Sequence, residues 1–129
     1  MNVFTVFLKN QPGELADLAE AVAARGANMM LCAVTIGSNG IVALSADNDE
    51  AVRSALEGMS VEFNERTALR VRLDDRPGMA AMLARKLSDA NVNMELLLPV
   101  VICDGKVDLA VCVSDDAAAR TALNDLVAG

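Results

Sequence analysis

One module is written twice in this chain, and the duplication limits the possible folds more than any other feature. Residues 8–28 read LKNQPGELADLAEAVAARGAN and residues 73–93 read LDDRPGMAAMLARKLSDANVN. Pro12-Gly13 returns as Pro77-Gly78, Asn28-Met29 as Asn93-Met94 and Gly40 as Gly105, each 65 positions on (77 − 12, 93 − 28, 105 − 40). Arg53 and Leu56 return instead 67 positions on, as Arg120 and Leu123, which implies two residues gained near the third strand of the second copy. A period this long exceeds those of solenoid repeats and suits a duplicated small domain. The expected division is 1–66 and 67–129. Each half alone is a marginal folder, so the halves are expected to share surface with each other or with a second chain.

Both copies carry the same succession of signals. Val3 to Leu8 reads as a strand, and Leu69, Val71 and Leu73 alternate with Arg70 and Arg72 as its half-buried twin, the arginines forming a solvated face. Pro-Gly breaks each strand. A helix follows from Gly13, with Leu15, Leu18, Ala19 and Val22 on one face, and another from Gly78, with Ala80, Leu83, Ala84 and Leu87. Gly26 and Asn91 end these helices. Second strands are expected over 28–36 and 93–102, with Asn39-Gly40 and Asp104-Gly105 as two-residue hairpin turns. Returning strands lead to helices capped by Asp47 and Ser114. Val61 to Glu65 is a fourth strand in the first copy; the second shows none. The fold class is therefore α+β, two ferredoxin-like βαββαβ modules with antiparallel sheets and helices on one face, the second module lacking its own fourth strand. Its open edge is expected to be covered.

Composition removes several function classes. The net charge is −7, which argues against direct nucleic-acid or anionic-membrane binding, and Tyr and Trp are absent, so base-stacking platforms are missing. The longest apolar run, Leu96 to Cys103, falls short of a membrane span, and the N-terminal residues carry no signal-like pattern. Cys32, Cys103 and Cys112 show no metal-like spacing and sit in strand-like apolar surroundings, which reads as core thiols in a reduced, cytoplasmic protein. There is no His, no Ser-centred nucleophile motif and no credible metal set, so neither catalysis nor a cofactor or metal is expected. The acids Asp47, Asp49 and Glu50 read as helix-dipole partners and lack the pattern of a calcium loop.

The two Pro-Gly turns are the candidate binding positions. Gly13 and Gly78 allow close approach to the main chain, and each turn leads into a helix N-terminus, where N–H groups and the helix dipole favour a carboxylate. Neither turn supplies a Ser or Asp cap, which leaves those donors to a guest. Asn10 and Asn28 each offer donor and acceptor; in the second copy Asp75 suits an ammonium and Arg76 a second carboxylate. Two further features point to assembly. The first strand is apolar on both faces, and Met79 and Met82 stand where the first helix has Glu14 and Asp17, an added stripe expected to be buried between copies or chains.

The order strand, N-Q-P-G-E-L or D-R-P-G-M-A, amphipathic helix, then G-A-N-M or N-V-N-M opening a strand, resembles the ACT domain over nearly the whole chain, in tandem. The resemblance implies a small non-catalytic module that binds an amino acid or related small carboxylate and regulates a metabolic enzyme or regulator. It places ligands at the turn, facing the start of the second strand of a neighbouring copy. The matching positions are Asn10, Gln11, Pro12, Gly13 and Asn28 in one copy and Asp75, Arg76, Pro77, Gly78 and Asn93 in the other. A homodimer is the expected assembly. Two alternatives stay open: a docking or dimerisation module without a live ligand site, and a regulatory subunit of an amino-acid biosynthetic enzyme such as acetolactate synthase.

Overall fold

In the computed structural model, which describes residues 1–128, eleven helices and strands and one 3-10 turn divide into two compact units, Asn2–Arg66 and, together with Met1, Thr67–Gly129. The fold is α+β, with two antiparallel sheets and four α-helices. No helix is long and apolar enough to cross a membrane.

The first unit runs β1 (Asn2–Lys9), α1 (Glu14–Ala23), β2 (Met29–Ile36), β3 (Asn39–Ala46), α2 (Asp49–Met59) and β4 (Glu62–Thr67), in the sheet order β2-β3-β1-β4. Alternation along β1 turns Phe4, Val6 and Leu8 toward Leu18 and Val22 of α1 and Ala51, Val52, Ala55 and Leu56 of α2. Burying that set, at about 25 cal/mol per Å² of apolar surface, is what holds both helices on one face. Leu15 does not join it: in the first turn of α1 it is 41% exposed and borders the Pro-Gly turn instead. Glu65 of β4 accepts from Arg53 Nε at 2.8 Å and from Asn2 Nδ2 at 2.6 Å, which ties β4 to α2 and β1.

The second unit repeats the order as β5 (Leu69–Asp74), α3 (Met79–Asp89), β6 (Met94–Cys103), β7 (Lys106–Val113) and α4 (Asp116–Leu123), with a three-stranded sheet β5-β7-β6. Its core joins Leu69, Val71 and Leu73 to Leu83, Leu87, Val111 and Leu123. Met79 and Met82 are partly buried against this core of their own unit, rather than requiring another copy to cover them. A full fourth strand is absent among the described residues, but its place beside β5 is not empty. After a 3-10 turn at Asn124–Leu126, Val127 bridges antiparallel to Val71 and the Ala128 N–H donates to the Arg70 carbonyl at 2.6 Å. The second copy thus supplies a one-residue substitute for β4 from within its own chain.

The extra two residues of the second copy lie in its second strand, not near its third. Met29 pairs with Ala46 and Met94 with Val113, while Ile36 pairs with Asn39 and Cys103 with Lys106. The offset therefore grows from 65 (94 − 29) to 67 (103 − 36) inside β6. Register shifts between Met94 and Leu96 and between Pro99 and Val101 leave Glu95 and Val100 as the two added residues, each a β-bulge. The Gly40–Gly105 correspondence is consequently accidental. The first hairpin turns at Gly37-Ser38, with Gly37 at φ 60°, and Asn39-Gly40 already belongs to β3; Asp104-Gly105 is the turn only in the second copy. Gly40 faces Leu8 across the β1–β3 ladder instead.

Two helix caps also fall one residue later than the sequence suggests. Asn48 and Asp115 cap α2 and α4, accepting from the Ala51 and Ala118 N–H groups at 3.1 and 3.0 Å. Asp47 and Ser114, free of that duty, accept from the Asn28 and Asn93 N–H groups, both at 2.9 Å.

Candidate functional site

Both Pro-Gly turns fold by the same rule. Gly13 and Gly78 stand at φ 90°, a left-handed conformation that costs an L-residue roughly 1–2 kcal/mol, and they precede α1 and α3 with no side-chain cap. A Cβ at either glycine would meet nothing within 4 Å, so the requirement is conformational and the space in front of the turn is open. In each copy the turn is fastened to the adjacent hairpin: the Asn10 N–H donates to the Ser38 carbonyl at 2.9 Å and the Asp75 N–H to the Gly105 carbonyl at 2.8 Å. Asn10 adds a side-chain bond, its Nδ2 donating to the Gly37 carbonyl at 2.9 Å.

Beyond this frame the copies part. In the first, a cleft of about 110 Å³ opens between the turn and the sheet. Asn10, Gln11 and Glu14 form its polar rim, and Leu15, Val34 and Thr35 its apolar wall. Its contents suit a small molecule with one charged or hydrogen-bonding end and a short apolar body. In the second copy Asp74, at the position of Lys9, pairs with Lys106 across the ladder and lies 3.5 Å from Arg76 Nε. Those cations, Lys106 foremost, hold the Asp74 carboxyl below its usual range. Arg76, which was expected to meet a ligand carboxylate, thus already has a carboxylate beside it.

The remaining expected residues lie elsewhere. Asn28 and Asn93 open β2 and β6 at the far end of each unit, separated from the turn by α1 or α3, ten and eleven residues long, or about 15 Å of helix. Their main chains are fixed by Asp47 and Ser114, and both residues are exposed. Within one unit, then, Asn10 to Gly13 and Asp75 to Gly78 each come together, and Asn28 and Asn93 do not join them. Beside Asn93 is a more open depression of about 410 Å³, bordered by Ser88, Asn91 and Ser114.

Two groups escape sequence reasoning. Leu15, Val34 and Thr35 line the cleft only because β2 is an edge strand, which periodicity cannot show. The second is a buried carboxylate. Asp108, with a side chain 2% exposed, accepts from Arg72 Nε and Nη2 at 2.6 and 2.8 Å and from Arg70 Nε at 2.8 Å. Arg72 first, and Arg70 with it, holds its pKa down at about 2. Arg70 and Arg72 are therefore ion-pair donors rather than a purely solvated face; the signal was Arg72 and Asp108 directly opposite each other, visible once the β5–β7 register is known. The cysteines also correct the sequence reading: Cys112 is buried, whereas Cys32 and Cys103 are exposed on the edge strands β2 and β6.

No protein-family model matches the chain, and no curated protein matches it in sequence. Solved structures do. A Bacteroides thetaiotaomicron protein superposes with a TM-score of 0.84 at 19% identity, covering 96% of this chain and 86% of its own. The ligand-free regulatory subunit of aspartate kinase from Thermus thermophilus gives 0.69 at 19% identity, covering 97% and 90%. The aspartate kinase of Clostridium acetobutylicum, described as an allosteric enzyme, gives 0.63 at 13%; 97% of this chain matches 32% of that one. At such identities the likeness is one of fold.

Proposed function

We propose that this chain is a tandem ACT-type regulatory protein. It is non-catalytic, acts in the cytoplasm, and binds an amino acid or related small carboxylate whose occupancy it reports to a metabolic enzyme or regulator. The observation that carries this reading is the α1 N-terminus. Gly13 is left-handed, no side chain caps the helix, and the turn opens on a cleft rimmed by Asn10 and Gln11. A carboxylate set there would take the helix N–H groups and the dipole, with the amides of Asn10 and Gln11 holding the remaining polar groups. The fold likeness to aspartate kinase regulatory subunits supports the regulatory role.

In this reading Asn10, Gln11, Pro12 and Gly13 form the live half-site, and Asn28 serves a neighbouring copy in a homodimer. Asp75, Arg76, Pro77, Gly78 and Asn93 form a second half-site that the Asp74–Lys106 pair restrains. That restraint also favours a second reading, in which the latter copy is a docking module and only the first senses; a role as regulatory subunit of a biosynthetic enzyme such as acetolactate synthase falls within the same scheme.

A thermal-shift screen against the twenty amino acids and related carboxylates at millimolar concentration tests the proposal. A ligand at about 100 times its Kd adds roughly 2.7 kcal/mol, several degrees for units of this size. A flat screen would reject the sensor and leave the docking module.

A further inference from the structure

The face of the second sheet that carries no helices gathers charge. Leu69, Val71 and Leu73 of β5 turn inward to the core, so Arg70, Arg72 and Asp74 stand on the opposite face. The strand register sets two rungs side by side there. One runs Arg72, Asp108 and Val101 across β5, β7 and β6; the next runs Asp74, Lys106 and Cys103. A cavity of about 350 Å³ opens at the β6–β7 hairpin, lined by Arg72, Asp108, Val101, Lys106, Cys103 and Asp104.

The cations here outnumber the acids that hold them. Asp108 is shared by Arg70 and Arg72, and Asp74 by Lys106 and Arg76, so four cations meet two carboxylates. Two positive charges are left over, in a chain whose net charge is −7 and which repels anions over most of its surface. The donors are not exhausted either. Arg72 spends Nε and Nη2 on Asp108, which leaves Nη1, and Lys106 keeps two of its three N–H groups after pairing with Asp74. Both side chains are about half exposed, at 55% and 54%. The buried Asp108 carboxylate fixes the Arg72 guanidinium in place, so that its ordering precedes any ligand.

We propose that this cavity binds a small phosphate ester. A phosphate monoester carries close to two negative charges at pH 7, which matches the surplus, and its three free oxygens can accept from Arg72 and Lys106 together. Val101 and Cys103 offer the carbon skeleton an apolar wall. Asp104, on the hairpin, would accept from a hydroxyl or ammonium group of that skeleton. Inorganic phosphate lacks both a body to fill the remaining space and a donor group for Asp104, whose charge would repel it. The cavity lies outside the α1 cleft, and its occupancy does not depend on the sensor reading.

Cys103 lines the cavity and is exposed, so its alkylation reports occupancy. The rate is measured with N-ethylmaleimide on the full chain carrying Cys32→Ser, at low ionic strength, with glycerol 3-phosphate, O-phosphoserine, inorganic phosphate or succinate; Cys112 is buried. At about ten times its Kd, either ester should slow alkylation about tenfold. Lys106→Gln should raise the concentration for half-protection about tenfold, the worth of one charge-assisted hydrogen bond, and Lys106→Arg should restore it. Half-protection is read against each variant's own unprotected rate, so a change in thiol reactivity does not mimic it. Asn10→Ala should leave protection intact. No protection by either ester, protection indifferent to Lys106→Gln, or equal protection of Cys32 in a Cys103→Ser chain would overturn the site. Inorganic phosphate or succinate protecting as well as the esters would overturn the ligand class.

Discussion

The two copies share a backbone plan and spend it differently. At the turn, the first copy keeps Lys9, Asn10 and Gln11, and a cleft stands open; the second has Asp74, Asp75 and Arg76, with Lys106 closing a charge pair over the same position. At the second strand, β2 keeps an unbroken register and carries no charge, whereas β6 is bulged twice and contains Pro99. On the sheet face away from the helices, Thr5, Phe7 and Ile41 of the first copy are replaced, register for register, by Arg70, Arg72 and Asp108. The two units share what folds, the apolar helix-facing set and the left-handed glycine. They differ at the edge and the turn, where one keeps a cleft and an uncharged strand and the other an internal charge pair and two bulges.

Core truncation should erase the difference. Leu18 and Leu83 are equivalent and both fully buried, so Leu18→Ala and Leu83→Ala should each cost about 3 kcal/mol, read by urea unfolding followed by circular dichroism. A much smaller loss in one copy would mean that its core is held by something outside the shared plan.

The Asp108 cluster should sharpen it. Its carboxyl titrates at about 2, below the ordinary value of 3.8, so its stabilisation is complete above pH 4 and is lost as pH falls from about 4 to about 2. Asp108→Asn should cost about 2 kcal/mol at neutral pH, since it leaves two arginines without their counter-charge while they keep partial hydration. It should also flatten the acid limb of the stability curve for the second unit, with little change to amide exchange in the first. Unaltered acid sensitivity would remove Asp108 from the explanation.

Gly13→Ala and Gly78→Ala should destabilise alike, by about 1–2 kcal/mol, because both sites demand the same φ. Only Gly13→Ala should also weaken amino-acid binding. The smallest effect should come from Val127→Asp, about 1 kcal/mol, which removes the stand-in for a fourth strand beside β5 without touching the first copy.

The inward alternation of β1 and β5, the Pro-Gly turns and the order of elements were legible because they are local and periodic, whereas Leu15, Ala80 and Ala84 of the expected helix faces are exposed and Met79 and Met82 pack on the core instead. What escaped depended on partners distant in sequence. The two bulges of β6 made Gly105 align with Gly40 at constant spacing, although its structural counterpart is Ser38. Asp47 and Ser114 are plausible caps in sequence, but Asn28 and Asn93 claim them. Cys32 sits in an apolar string that reads as core, and only strand order reveals it as an exposed edge position. Asp108 carries no local signal of its burial, which follows only from the two arginines that β5 places on it.

Isothermal titration calorimetry on the intact chain, with the amino acid that most raises its melting temperature, tests the sensing role most directly. A live first site predicts one ligand bound per chain, with the heat abolished by Asn10→Ala and kept by Asp75→Ala. Two ligands per chain, heat that survives Asn10→Ala, or no heat with any of the twenty amino acids would contradict it.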